Sequence, residues 1–222
     1  MNPRCAAAAM DAIAELRHPR LDYRTPEARR FAARWRPFLA QVVFPGCVAL
    51  DLGCGAGKCT FDLEQLGARA VGIDCSPGMI SLAREIAQDI GSSAEFHVGT
   101  FQELPFAPHS FDLVWFPQNI IECSYEEVDR IAMQLRTILR PKGAFCLAMR
   151  DGMENHGDGG AFDQLTGNRV SAVDAEGRFP YEVTFWTVAF ARFVVSRHLD
   201  FDRIEPAASG RHVLVFRRPE RT

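Results

Sequence analysis

The chain has 222 residues, of which 47% are hydrophobic and 24% charged, the balance of an ordinary globular protein. These values exclude a disordered chain, a collagenous chain and a small scaffold held by disulfides. The formal net charge of -3 gives no general attraction to a phosphate backbone, so we expect no nucleic-acid partner. No run of 18 apolar residues is present, and we therefore expect no membrane span.

Cysteine and histidine usage gives expectations about the compartment and about metals. The seven cysteines form no C-x-x-C pair, and the six histidines form no cluster of zinc type. The apolar N-terminal patch is followed too soon by Asp11 and Glu15 for a secretory signal. These observations favour a reduced, cytoplasmic setting and no metal site.

Residues 1–44 are predicted to form a helical cap. Thr25 and Pro26 are typical of a helix N-cap and of the first helical residue. An apolar stripe follows at helical spacing, and Pro45-Gly46 ends it. This pattern predicts one helix from Pro26 onward. The stripe consists of Phe31, Trp35, Phe38, Leu39 and Val42.

Short apolar runs alternate with amphipathic segments between residues 47 and 149. This alternation predicts an α/β fold, a doubly wound and mostly parallel sheet with helices on both faces. Helices are expected to begin near Lys58, Ser76 and Ser124, the last with a capping box formed by Ser124 and Glu127. The predicted strands are 47–50, 70–73, 96–98, 111–116 and 144–149.

The C-terminal third has a different pattern. Residues 150–183 are rich in Gly, Asp and Asn and are predicted to form a lid or insertion loop. A helix is expected within 185–195, and 201–204 with 212–216 read as a closing antiparallel hairpin at the sheet edge. Nothing in the pattern indicates a second domain, so residues 1–222 are predicted to form a single one.

The first predicted strand leads into a glycine-rich turn, Asp51-Leu52-Gly53-Cys54-Gly55-Ala56-Gly57. Bare backbone at such a turn lets a ligand meet the N–H groups of the following helix. A dinucleotide fingerprint needs Gly or Ala where this chain has Lys58, and a P-loop needs a hydroxyl where it has Cys59. The turn therefore matches neither a dinucleotide-binding motif nor a P-loop, and a phosphate group is a poor candidate for its ligand.

Asp74 follows Asp51 by 23 residues, at the end of the second predicted strand. In a doubly wound sheet a carboxylate at that place can accept hydrogen bonds from both hydroxyls of a ribose. Asp51 is then close to the cationic end of the same ligand, which indicates a nucleoside with an amino-acid tail. The alternative is that the glycines only form a tight turn and that both aspartates are caps.

These motifs resemble those of the class I S-adenosylmethionine-dependent methyltransferases. The matching stretches are 50–57, 72–79, 104–106 with 110–114, and 139–143, so the resemblance covers about residues 48–149. It implies a Rossmann-like seven-stranded sheet with an antiparallel last strand, and S-adenosyl-L-methionine as the cofactor. The two strands predicted after residue 200 agree with that fold.

The resemblance also implies roles for individual residues. The three glycines are expected beside the methionine part of the cofactor, Asp74 on the ribose, and Cys75 with Met79 at the adenine. Thr100 stands where the family usually has an Asp, and Gln102 is a further candidate for the adenine contact. The residues predicted to bind the cofactor are Tyr23, Asp51, Gly53, Cys54, Gly55, Gly57, Asp74, Cys75, Met79, Thr100, Phe101, Gln102, Trp115 and Phe116.

Several of these aromatic residues have two open interpretations. Trp115 and Phe116 either stabilise the sulfonium charge or are ordinary core residues. Tyr23 and the helix after it either close over the cofactor or belong to the core.

Acceptor contacts are expected beyond the carboxyl ends of the fourth and fifth strands. His156 is the candidate general base, with a solvated loop histidine as its alternative. The candidate substrate contacts are Gln118, Asn119, Arg150, Asp151, Tyr181 and Trp186.

The predicted function is methyl transfer from S-adenosylmethionine to O or N of a small molecule, by a monomer or homodimer. Transfer of another group or cyclisation, non-catalytic cofactor binding and nicotinamide-dependent oxidoreduction are the alternatives.

Overall fold

The computed structural model describes residues 3–15, 20–117, 120, 123–150, 169–172, 181–184, 186–207 and 210–220. The strands are β1 (Val48–Leu52), β2 (Arg69–Asp74), β3 (Glu95–Val98), β4 (Phe111–Pro117), β5 (Leu139–Arg150), β6 (Arg169–Ala172), β7 (Tyr181–Thr184), β8 (Asp200–Ala207) and β9 (Arg211–Arg217). The helices are α1 (Pro3–Glu15), α2 (Pro26–Ala33), α3 (Arg36–Val42), α4 (Lys58–Gln65), α5 (Pro77–Ile90), α6 (Tyr125–Ile138) and α7 (Val188–Val195).

Seven strands form one sheet in the order β3-β2-β1-β4-β5-β9-β8. Strands β1 to β5 pair in parallel, whereas β9 is antiparallel to both β5 and β8. The strand order reverses between β1 and β4, which is where open α/β sheets bind ligands. The predicted fold class, including the antiparallel hairpin at one edge, is confirmed.

Both faces of the central strands β1 and β4 are buried, as expected for parallel strands. Successive residues of a strand point to opposite faces, and β4 shows the consequence. Val114 and Phe116 pack with residues of α6 and α7. Leu113 and Trp115 pack with residues of α3 and α4.

The N-terminal segment contains two helices where the apolar stripe predicted one. Proline lacks an N–H and its ring clashes with the carbonyl four residues earlier, so Pro37 cannot continue α2. Pro37 lies instead in the first turn of α3, where its missing N–H costs nothing. The apolar stripe still faces the core despite the break between α2 and α3, because Trp35, Phe38 and Leu39 are all buried.

Helix α1 packs closely against the start of α5. Asp11 accepts hydrogen bonds at its Oδ1 from the Ser76 hydroxyl (2.6 Å) and from the Gly78 N–H (2.7 Å). A Cβ at Gly78 would lie 2.9 Å from that Oδ1 and 3.3 Å from the Asp11 Cα. A larger residue at position 78 would therefore require Asp11 to shift.

Within the segment predicted as a lid or insertion loop, β6 and β7 form an antiparallel two-stranded ladder. No helix in the described ranges is long and apolar enough to cross a lipid bilayer.

Candidate functional site

A cavity of about 290 Å³ lies at the carboxyl ends of β1, β2 and β4. The glycine turn, the loop after β3, the starts of α4, α5 and α6, and the N-terminal helices enclose it. Its lining residues are Met10, Leu21, Phe31, Trp35, Asp51, Gly53, Cys54, Gly55, Ala56, Lys58, Cys59, Asp74, Cys75, Met79, Thr100, Phe101, Gln102, Pro117, Cys123 and Glu127.

The glycine turn has left-handed backbone conformations, with φ of 74° at Gly53, 53° at Gly55 and 83° at Gly57. The turn is fixed to β2 because the N–H groups of Gly53 and Cys54 both donate to the Ile73 carbonyl, at 2.8 and 3.0 Å. Gly53 and Gly55 line the cavity. Gly57 instead packs beside Phe96, and an added Cβ would be 2.8 Å from the Phe96 ring.

Asp74 joins the glycine turn to the start of α5. Its Oδ2 accepts from the Gly55 N–H at 2.8 Å and its Oδ1 accepts from the Ser76 N–H at 2.9 Å. Burial raises the pKa of this carboxyl, and backbone hydrogen bonds from Ser76, Gly55 and Cys75 oppose that shift. These bonds hold the carboxylate in place, and a carboxylate has about four acceptor sites, which leaves capacity for a further donor.

Asp51 is fully buried at the end of β1 and lines the cavity. Its Oδ2 accepts from the Thr60 hydroxyl at 2.7 Å, whereas its Oδ1 receives no hydrogen bond from the described residues. Burial, with the nearby Asp74 charge, raises the pKa of this carboxyl to about 7. A buried oxygen without a donor is costly, and the ammonium group of an amino acid supplies the donor that fits it.

Lys58, which we did not predict as a ligand residue, also lines the cavity. Its Nζ donates to the Arg20 carbonyl at 3.0 Å and lies 4.3 Å from the centroid of the Phe31 ring. Burial lowers the pKa of this ammonium. Lys58 and Asp51 thus place opposite charges at the two ends of the glycine turn, which suits a zwitterion.

The wall opposite the sheet comes from the N-terminal helices, through Met10, Leu21, Phe31 and Trp35. Lys58 holds this wall through its contacts with Arg20 and Phe31. At the other end, Arg24 pairs with Glu85 and Asp89 on α5. The wall is therefore attached to the same helices that carry the glycine turn and the Asp74 loop.

Four cysteines line the cavity, namely Cys54, Cys59, Cys75 and Cys123. Burial raises the pKa of Cys54 and of Cys59, so both remain neutral thiols at neutral pH. In the part of the chain that the structure describes, no group of three or more His, Cys, Asp or Glu is placed to hold a metal ion.

Two aromatic residues predicted beside the sulfonium lie in the core and do not line the cavity. Trp115 is fully buried and packs on Trp35 and Phe38, with ring centroids 5.4 and 5.8 Å away. Phe116 points to the other face and packs on Phe101 at 5.3 Å. The alternation of side chains along β4 explains both positions, and it favours the core interpretation.

Tyr23 and Trp186 are likewise directed away from the cavity. The buried Tyr23 hydroxyl donates to Asp62 Oδ1 at 2.5 Å, so it secures the N-terminal segment to α4. Trp186 is buried, donates through Nε1 to the Cys123 carbonyl at 3.2 Å and stacks on Phe190. It supports a residue of the cavity wall without lining it.

The remaining acceptor predictions lie outside the described residues or side chains. Gln118, Asn119, Asp151 and His156 are among the residues that the structure does not describe. Arg150 ends β5 and Tyr181 begins β7, but their side chains are not described.

Three residues of the cavity wall have sequence patterns that predict a role in helix structure and not in ligand binding. The sequence pattern indicates Glu127 only as part of the capping box with Ser124. The structure confirms that box and also places Glu127 at the cavity. Phe31 and Trp35 belong to the predicted apolar stripe, and a stripe does not separate a core residue from a cavity wall.

The two glycines 55 and 57 should respond differently to substitution. A left-handed alanine costs about 1–2 kcal/mol at either position. We expect Gly57→Ala to lower the free energy of unfolding by about 1–3 kcal/mol more, because its Cβ meets the Phe96 ring.

At Gly55 an added Cβ meets no protein atom within 4 Å. We expect Gly55→Ala to remain folded but to bind S-adenosylhomocysteine, the demethylated form of the cofactor that the resemblance implies, at least about tenfold more weakly, since bare backbone is what lets the ligand approach. Denaturant titration and calorimetry measure the two effects. Equal binding by Gly55→Ala and the unsubstituted chain would contradict this.

Comparison with known proteins agrees with this geometry. Residues 49–143 match the family model of a methyltransferase domain. The ubiquinone biosynthesis O-methyltransferase of Cereibacter sphaeroides is 33% identical over 131 residues, covering 56% of this chain and 49% of that protein. The cypemycin N-terminal methyltransferase of a Streptomyces species is 35% identical over 124 residues, covering 54% and 49%. The chain thus spans about half the length of these curated relatives.

Among solved structures, the PH0226 protein of Pyrococcus horikoshii superposes with a TM-score of 0.78 at 25% identity, over 89% of this chain and 94% of that one. The matched family segment contains the glycine turn, Asp74 and the loop after β3, all of which line the cavity. Together these findings show a methyltransferase domain over residues 49–143 and support a class I S-adenosylmethionine-dependent methyltransferase.

Proposed function

We propose that this protein transfers a methyl group from S-adenosylmethionine to an oxygen or nitrogen atom of a small molecule. The observation that carries the proposal is the fully buried Asp51 Oδ1, which receives no hydrogen bond from the described residues and lies at the cavity between a glycine turn and Asp74. This arrangement fits an amino acid joined to a nucleoside. The ammonium would pair with Asp51, the carboxylate would lie near Lys58, and the ribose hydroxyls would donate to Asp74.

The cofactor, when bound, supplies an activated methyl group on a sulfonium with a neutral sulfide as leaving group. The protein must then align the acceptor about 3–3.5 Å from the methyl carbon and exclude water. Phe31, Trp35 and Phe101 give the cavity apolar walls suited to that task. His156 as general base stays a prediction.

The names of the relatives support an oxygen or a nitrogen atom as the methyl acceptor. One is named an O-methyltransferase and another an N-terminal methyltransferase. Both heteroatoms therefore stay within the proposal, and so does a small organic acceptor. A general base is required only for an acceptor that must lose a proton, such as a hydroxyl or a protonated amine.

Two measurements test the proposal. Calorimetric titration is expected to show binding of S-adenosylmethionine and S-adenosylhomocysteine and none of NAD. With methyl-labelled cofactor and a pool of metabolites, label is expected in a small molecule. If the cofactor binds but no acceptor in the pool becomes labelled, a non-catalytic binding protein is favoured. If the protein binds NAD and neither S-adenosyl compound, the proposal is overturned.

A further inference from the structure

A second cavity, of about 330 Å³, lies between α2, the start of α3 and the second half of α4. It shares no lining residue with the cavity at the sheet edge, so the two are separate. We call it the arginine cavity, after three residues of its wall. Its polar lining consists of Tyr23, Arg29, Arg30, Arg36, Asp62 and Gln65.

Two of the three arginines have no partner in the described part of the chain. Arg36 is engaged, since it donates to Gln65 Oε1 at 3.0 Å and lies 3.6 Å from Asp62 Oδ1. Arg29 and Arg30 are exposed, and neither forms a hydrogen bond or an ion pair with any described residue. Two guanidinium groups therefore line the arginine cavity without a protein counter-charge.

The charges of this wall match those of a phosphate monoester. Three guanidinium groups against one carboxylate leave two positive charges in excess, and a phosphate monoester carries about 1.5 to 2 negative charges at pH 7. The planar guanidinium fork binds phosphate through two parallel hydrogen bonds, which are stronger than those between neutral groups. Arg29 and Arg30 are therefore the expected contacts of the phosphate.

The buried Asp62 adds a requirement for a hydrogen-bond donor. This residue is 1% exposed. Its Oδ1 accepts from the Tyr23 hydroxyl at 2.5 Å, whereas its Oδ2 receives no hydrogen bond from the described residues. A buried acceptor without a donor is costly. A hydroxyl group close to the phosphate of a ligand supplies that donor.

We propose that the arginine cavity is a second ligand site, which binds a hydroxylated phosphate monoester of the polyol phosphate class. The phosphate binds Arg29 and Arg30, and a hydroxyl group donates to Asp62. Such a ligand joins α2 to α4. Helix α2 also carries Phe31, which lines the cavity at the sheet edge, so the ligand fixes one wall of that cavity from outside. The site does not depend on the proposed function.

Calorimetric titration of the full chain with glycerol 3-phosphate tests the site. We expect one molecule of this probe to bind each chain, with a Kd that saturating S-adenosylhomocysteine leaves unchanged. Propyl phosphate has the same charge and carbon chain but no hydroxyl group, and it should bind about fivefold or more weakly. Displacement of glycerol 3-phosphate by S-adenosylhomocysteine would place the probe in the cavity at the sheet edge and overturn the proposal.

Three variants assign the contacts of the probe. Arg29→Gln and Arg30→Gln should each weaken binding of glycerol 3-phosphate by about tenfold or more, since each removes a charge-assisted pair. Both positions are exposed, so the fold should be retained. Asp62→Asn keeps an oxygen for the Tyr23 hydroxyl but has an NH₂ group in place of the second oxygen. It should abolish the preference for glycerol 3-phosphate over propyl phosphate.

Arg69→Gln is the matched control, because Arg69 is exposed on β2, outside the arginine cavity, and its loss changes the net charge equally. It should leave the Kd of glycerol 3-phosphate unchanged. Equal weakening by Arg69→Gln and Arg29→Gln would show only a general attraction of anions and overturn the proposal. Equal binding of the two phosphates by the unsubstituted chain, or binding of neither, would also overturn it. These results leave binding of S-adenosylhomocysteine, and with it the proposed function, unaffected.

Discussion

Replacement of Asp74 by alanine should weaken binding of S-adenosylhomocysteine by roughly two to four orders of magnitude. Two charge-assisted hydrogen bonds to the ribose hydroxyls would be lost, each worth about 1.5–3 kcal/mol. The same carboxylate holds the Gly55 and Ser76 N–H groups, so its loss also loosens the walls on both sides of the ligand. Calorimetric titration measures the change in Kd.

Asp112 offers a matched control for that variant. Its carboxylate also joins two elements, since it accepts from the Val48 N–H at 2.9 Å and from Arg140 at 2.6 Å. It does not line the cavity. Asp112→Ala should lower Tm and leave the Kd of the folded protein unchanged. If both alanine variants lost affinity equally, or if Asp74→Ala lost none, the ribose would have to be placed elsewhere.

Binding of S-adenosylhomocysteine should depend on pH through Asp51. Burial raises the pKa of this carboxyl to about 7, so below pH 7 it is mostly protonated and cannot pair with an ammonium. The affinity should therefore rise with pH, by up to about tenfold per unit below 7, and become level above it. Calorimetry at pH 6 in buffers of different ionisation enthalpy should show proton release on binding.

Asp51→Asn separates this effect from other titrating groups. The amide retains an oxygen for the Thr60 hydroxyl but carries no charge at any pH in this range. It should bind more weakly than the unsubstituted chain at pH 8 and show no slope between pH 6 and 7.5. The same slope in the asparagine variant would assign the titration to another group.

Asp51 also affects the stability of the ligand-free protein, with a definite sign. Its pKa in the folded state lies above the value of about 3.9 for an unfolded aspartate. The folded state therefore binds more protons between about pH 4 and 7, and the contribution of Asp51 to the free energy of unfolding falls as pH rises through that window. A bound ammonium offsets that loss, so the stabilisation by ligand should be larger at pH 7.5 than at pH 6.

Part of the cavity lining was predictable because it depends on local sequence. The glycines at 53 and 55 and the aspartate at 74 each stand at the end of a strand, and strand ends in a parallel sheet meet at one edge. The capped starts of α2, α5 and α6 were equally local, since Thr25, Ser76 and Ser124 each accept a backbone N–H near their own position.

The parts that could not be predicted depend on contacts between distant elements. Lys58 and Glu127 line the site because the N-terminal segment and the loop after β3 pack beside them. The residues next to Lys58 and Glu127 in the sequence do not determine that packing. Trp115 is the opposite case, a residue that the sequence places near the ligand and the structure places in the core. A strand-end aromatic fits either a ligand site or a core, and only the packing of α3 over β4 decides for the core.

The contact between α1 and α5 links position 78 to the wall of the ligand chamber. A side chain at position 78 would make Asp11 shift, because its first carbon would lie 2.9 Å from the Asp11 Oδ1 and 3.3 Å from the Asp11 Cα. Met10, the residue before Asp11 on that helix, is part of the chamber wall. A substitution at position 78 is therefore expected to act on the chamber wall through α1, although Gly78 itself does not line the cavity.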